Sequence, residues 1–105
     1  MPRDFRTDPP RLLGSRDPAT GETFFPPRAL AIDGSLRETE PVELSPEGTL
    51  HTFTSFMGTD YGQVDLPEGV RVQGVLGAGP HEIGARYVLQ IVGEGEDARW
   101  RFTRA

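Results

Sequence analysis

The sequence contains no cysteine, so it can form no disulfide, no thiolate nucleophile and no sulfur-ligated zinc. Lysine is missing as well: all 11 basic residues are Arg, set against 16 Asp and Glu for a net charge of -5. That balance lacks the broad positive field which nucleic acid or an anionic membrane normally requires. No apolar run approaches the roughly 20 residues of a membrane-spanning helix. The opening MPRDFRTDPPRLL carries charge and proline where a signal peptide carries an apolar stretch. The expectation is a soluble, cytoplasmic protein with a protein or small-molecule partner and no cofactor.

What is present points to β-structure. A chain of 105 residues has room for one core, and its 13 glycines and 10 prolines punctuate it too often for a helical bundle. Residues 1–11, with Pro2, Pro9 and Pro10, read as an arm that is ordered only if it docks. Residues 12–40 hold short apolar pieces (LL, TFFPP, RALAI) between the turn signals DPATGE and DGS. From residue 41 to 105 the pattern changes to strands bounded by Gly, Pro or Asp.

Five strands are predicted in this last part. Thr52, Phe53, Thr54 and Phe56 favour the first, and Val64 and Leu66 mark the second. GVRVQGVLG sets Val70, Val72 and Leu76 on one face against Arg71 and Gln73 on the other, with Gly74 read as a bulge or bend. ARYVLQIVG is the fourth strand. In the fifth, Trp100 and Phe102 alternate with Arg99, Arg101 and Thr103. The polar stretch AGPHEIGA between the third and fourth strands completes the plan of an OB-fold, a five-stranded Greek-key barrel, with a five-stranded sheet of another topology as the structural rival.

LLGSR, FFPPR, DGS, LSPEGTLHTFT, VDLPEGVRVQGVLG and IGARYVLQI, in that order, resemble the acyl-CoA-associated proteins that join a rubredoxin-like zinc ribbon to a C-terminal OB-fold and accompany thiolase-like enzymes. The resemblance covers about residues 12 to 103. It implies an OB-fold barrel preceded by a degenerate zinc-ribbon knuckle. The four ligand positions of the ribbon fall on Asp17, Thr20, Leu30 and Asp33, while Gly21, Phe25, Pro26, Pro27, Arg28, Gly34 and Ser35 keep its frame. Leu30 can donate nothing to a metal, and zinc favours four nitrogen or sulfur donors, so metal binding is not expected. Asp17 and Asp33 are instead expected to open turns and accept backbone N–H bonds. Packing of Leu12, Leu13, Phe24, Phe25, Leu30 and Ile32, with the rigid Pro26-Pro27 unit, would support the knuckle.

Phe24, Phe25, Pro26, Pro27 and Arg28 form the candidate site for a partner or acyl-CoA, since aromatics and Arg dominate binding hot spots and a Pro-Pro segment presents them at low entropic cost. Arg28 also suits a CoA phosphate. His51, expected to be a satisfied barrel residue, and His81 have no nucleophile placed beside them by a recognisable motif. Asp65 and Glu68 flank Leu66-Pro67 and read as turn-shaping groups. No catalytic residue is assigned.

By the resemblance, the chain is a non-catalytic auxiliary subunit of a thiolase-like enzyme acting on acyl-CoA, in a hetero-oligomer. The rival readings are an OB-fold module for single-stranded nucleic acid, which the acidic balance opposes, and a small acyl-CoA hydrolase, for which no nucleophile constellation is present.

Overall fold

The computed structural model describes residues 4–29 and 37–105. Two antiparallel sheets and a 3-10 turn at Gly95–Asp97 account for its regular structure. The smaller sheet is built on β2 (Pro10–Arg16), which pairs with β1 (Phe5–Thr7), β3 (Thr23–Phe24) and β4 (Glu40–Glu43). Asp8 and Pro9 form a tight turn, so the N-terminal arm folds back and docks, with Phe5 opposite Leu12 and Thr7 opposite Pro10.

The larger sheet contains β5 (Glu47–Phe56), β6 (Thr59–Asp65), β7 (Arg71–Val75), β8 (Arg86–Val92) and β9 (Arg99–Arg104) in the order β7-β6-β5-β8-β9. These are the five strands predicted after Pro41. The sheet curls into a half-barrel because Leu76 bridges to Phe102, and the Gly77 N–H donates to the Phe102 carbonyl at 2.8 Å. The result is an OB-like barrel, and the segment between β7 and β8 forms turns and no helix.

Alternation carries through to burial. Val70, Val72, Leu76 and Phe102 are buried as the period-two pattern requires, and they pack with Leu50, Val64, Tyr87 and Leu89. Leu12 and Leu44 belong to the same cluster, so both sheets share one core. Among the described residues, no helix is long and apolar enough to cross a membrane.

Gly74 is not a bulge. It pairs in regular register with Gly62, and the register shift lies in β5, between Leu50 and Thr52. The physical reason for glycine there is the Trp100 indole: a Cβ on Gly74 would sit 2.4 Å from a ring carbon. The shift in β5 also corrects His51, which stands at the irregularity with its side chain 45% exposed rather than satisfied inside the barrel.

β5 outruns its neighbour. β8 pairs only with Glu47–Thr49, whereas β6 follows β5 to the tip, so the β5–β6 hairpin projects past the barrel. The radius of gyration, 14.4 Å, exceeds the roughly 13 Å of a compact chain of this length.

Candidate functional site

The knuckle is held by an ion pair. Asp17 follows β2 and is almost fully buried, at 2% exposure. Its Oδ2 accepts from the Arg37 guanidinium at 2.7 Å, and its Oδ1 accepts from the Ala19 N–H at 2.9 Å. The Arg37 bond, followed by the Ala19 bond, holds its carboxyl below the usual Asp range. Thr20 accepts from the Glu22 N–H in the adjoining turn. Leu30 and Asp33, the other two positions at which the sequence resemblance expects a metal ligand, lie outside the described residues, as do Ile32, Gly34 and Ser35. A zinc ion does not fit this donor set: Asp17 is committed to Arg37, Thr20 to a turn, and Leu30 has no donor atom. Among the described residues, no three His, Asp or Glu side chains gather in metal-binding geometry.

The FFPPR segment divides between inside and outside. Phe24 ends β3 buried, with the Arg28 guanidinium 5.5 Å above its ring, so its ring is spent on the chain's own packing. Phe25 is half-buried and meets Trp100 edge-on at 5.8 Å. Pro26, Pro27 and Arg28 stay exposed. The segment is pinned where the Arg28 N–H donates to Ser15 Oγ at 2.7 Å and the Thr39 hydroxyl donates to the Arg28 carbonyl. Between Ser15, Pro27, Arg28, Thr39 and Pro41 lies a surface concavity of about 280 Å³.

His81 is enclosed, its side chain 3% exposed. Nε2 lies 2.8 Å from Asp60 Oδ2 and Nδ1 lies 2.7 Å from the Tyr87 hydroxyl. The imidazole thus bridges the Asp60 carboxylate and the Tyr87 hydroxyl through its two ring nitrogens. Ser55 Oγ donates to the other Asp60 oxygen at 2.5 Å. That bond first, and His81 second, hold the Asp60 carboxyl below its ordinary range. The chain Ser55–Asp60–His81–Tyr87 ties three strands and the loop before β8 together, running from the exposed Ser55 hydroxyl to the fully buried Tyr87. Asp65 forms a two-pronged pair with Arg71, and Glu68 accepts the Ser45 N–H, so both shape turns.

The largest apolar exposure is on the projecting hairpin. Residues 51–58 are all exposed. By register, Thr52, Thr54 and Phe56 share the outer face with Tyr61 and Gln63, whereas Phe53 and Ser55 share the other face with Asp60. Phe56 is 65% and Met57 88% exposed. The outer face continues onto β7 through Gln73 and Val75, and a shallow depression of about 150 Å³ lies between Thr52, Tyr61, Gln63 and Gln73. No charged residue occurs between Thr52 and Thr59.

The fold has a counterpart among solved structures. A chain of the structure described as "Ltp2-ChsH2(DUF35) aldolase" is similar, with a TM-score of 0.74 and 22% sequence identity over 90% of this chain and 84% of that chain. The fold is shared. No protein-family model matches the sequence. No curated protein matches it either.

Sequence reasoning selected the FFPPR segment and overlooked the hairpin surface. The signal for the hairpin was the uncharged run TFTSFMGT, in a chain where 26% of residues are charged. Arg37, Asp60 and Tyr87 could not be found from sequence, because their partners lie 20, 21 and 6 residues away with no spacing rule to connect them.

Proposed function

We propose that this chain is a non-catalytic auxiliary subunit of a thiolase-like enzyme acting on acyl-CoA, stabilising that enzyme and bordering its acyl-CoA site. The observation that carries the reading is the fold likeness to a chain of the "Ltp2-ChsH2(DUF35) aldolase", which extends over both sheets. It agrees with the sequence resemblance to the zinc-ribbon/OB-fold companions of thiolase-like enzymes. The knuckle is then a ribbon whose metal has been replaced by the Asp17–Arg37 pair. The exposed Pro26, Pro27 and Arg28, with the concavity beside them, are the part of the FFPPR segment available to acyl-CoA or to the partner. Phe24 and Phe25 support that segment from beneath.

Charge supports the reading over a nucleic-acid module. Arg6, Arg16, Arg37, Arg71, Arg86 and Arg104 each pair with a carboxylate of the same chain, which leaves little positive field for a phosphate backbone. The test is co-expression of the chain with each thiolase-like protein of the same genome, followed by co-purification and an acyl-CoA cleavage or condensation assay. The expected result is a stoichiometric complex whose activity exceeds that of the enzyme alone, with no turnover by this chain alone. Failure to associate with any of them would remove the reading.

A further inference from the structure

We infer that the β5–β6 hairpin is the docking element of this chain, inserting into an apolar, uncharged groove on the thiolase-like partner; this rests on the reading above. Met57 and Gly58 form the two-residue turn between Phe56 and Thr59, with φ of 52° and 81°. Two positive values define the type I′ turn, in which Asn-Gly is the favoured pair. Methionine is poorly suited to the left-handed conformation, and here it is also 88% exposed. Among the described residues, no buried packing of the Met57 side chain offsets that combination. An unbranched thioether that adapts to a partner's surface does explain it.

The strand leading to this turn keeps one protection of a free edge, the register shift between Leu50 and Thr52, and lacks the others. Beyond Leu50 the side of β5 away from β6 has no strand partner among the described residues, and from Thr52 to Thr59 it carries no charge, proline or covering helix. Soluble proteins normally blunt such an edge with one of these devices. The one carboxylate between Thr52 and Gln63, Asp60, is taken up by Ser55 and His81, so a groove receiving the end of the hairpin need not solvate a free charge.

The exposed pattern also selects the kind of occupant. A second copy pairing edge to edge along β5 would cover the edge and leave both faces of the hairpin in water. Exposure of Thr54 and Phe56 on one face, and of Phe53, Ser55 and the Met57 tip beyond it, calls for a concave partner that encloses the hairpin. The -5 charge on each chain also disfavours a second copy. A standard interface engages about 20 residues or more on each side. The hairpin tip supplies the anchor, and the continuous outer face of Tyr61, Gln63, Gln73 and Val75 supplies the surround.

The test compares wild-type chain with Met57→Asn and Phe56→Ala in binding to the co-expressed thiolase-like enzyme, read by interferometry at low and high salt. Met57→Asn installs the preferred turn residue, so its thermal midpoint should equal or exceed wild type and loss of binding cannot be assigned to unfolding. Each variant should weaken binding at least tenfold, and wild-type affinity should vary less than about threefold between 0.05 and 0.5 M salt, because few charges are engaged. Wild-type binding with unchanged affinity in both variants would overturn the hairpin assignment and leave the auxiliary role standing. A wild-type chain that self-associates, and that both variants render monomeric without altering enzyme binding, would overturn it in favour of a second copy. No association of wild type with the enzyme would overturn both readings.

Discussion

The Asp17 carboxylate, through its ion pair with Arg37, joins the end of β2 to the chain just before β4. Its pKa lies below the unfolded value near 3.8, so the pair stabilises the fold above that value. The contribution is lost as pH falls through the lower folded pKa. The urea midpoint should therefore be flat above about pH 5 and fall below about pH 4. Asp17→Asn should lower the plateau and flatten the acid slope, which urea titrations at several pH values would measure. Gly74 carries a second prediction. Gly74→Ala places a methyl against the Trp100 ring and should cost about 1–3 kcal/mol by overpacking, read as a shift in urea midpoint with unchanged slope. The glycine itself was evident in the sequence, but its reason was not, because Trp100 is 26 positions away along the chain and becomes its neighbour only when the sheet curls and brings its edge strand β9 to β7.

Among elements, the β5–β6 hairpin and the loop before β8 depend on one another through His81. The ring lies 5.4 Å from that of Phe53 and bonds to Asp60 of the hairpin and to the buried Tyr87 hydroxyl. Tyr87→Phe leaves a buried imidazole nitrogen unpaired, so it should cost about 1–3 kcal/mol. Combined with His81→Ala, the two losses should be strongly non-additive in a double-mutant cycle of thermal or urea unfolding. Additive losses would mean that the two side chains act separately. The strands themselves were legible because alternation at Val70, Val72, Trp100 and Phe102 is a local property. The extra length of β5 over β8 was not legible, since it depends on where β8 begins to pair.

For the whole molecule, the two sheets unfold as a unit, because Leu12 and Leu44 belong to the same buried cluster as Leu50, Tyr87 and Phe102. With Asp17 held by Arg37, a chelator such as EDTA should leave the thermal midpoint unchanged, and added zinc should not raise it. A midpoint that falls on chelation would assign the knuckle a metal. The surface ion pairs, Arg6–Glu43 and Arg104–Glu82 among them, should matter little, since exposed pairs contribute about 0–1 kcal/mol each.

The sequence by itself determined the β class, the five barrel strands and the inward faces of the third and fifth, because period-two alternation and Gly/Pro punctuation act over a few residues. It also ruled out thiolate chemistry and sulfur-ligated zinc, which depend on composition alone. Only the tertiary structure decided which surface is free. It put Phe24 beneath Arg28, closed Asp17 with Arg37, and left Phe56 and Met57 in solvent at the end of a strand that outlasts its neighbour. Exposure depends on which distant segments come to cover a side chain, and local pattern carries no record of that.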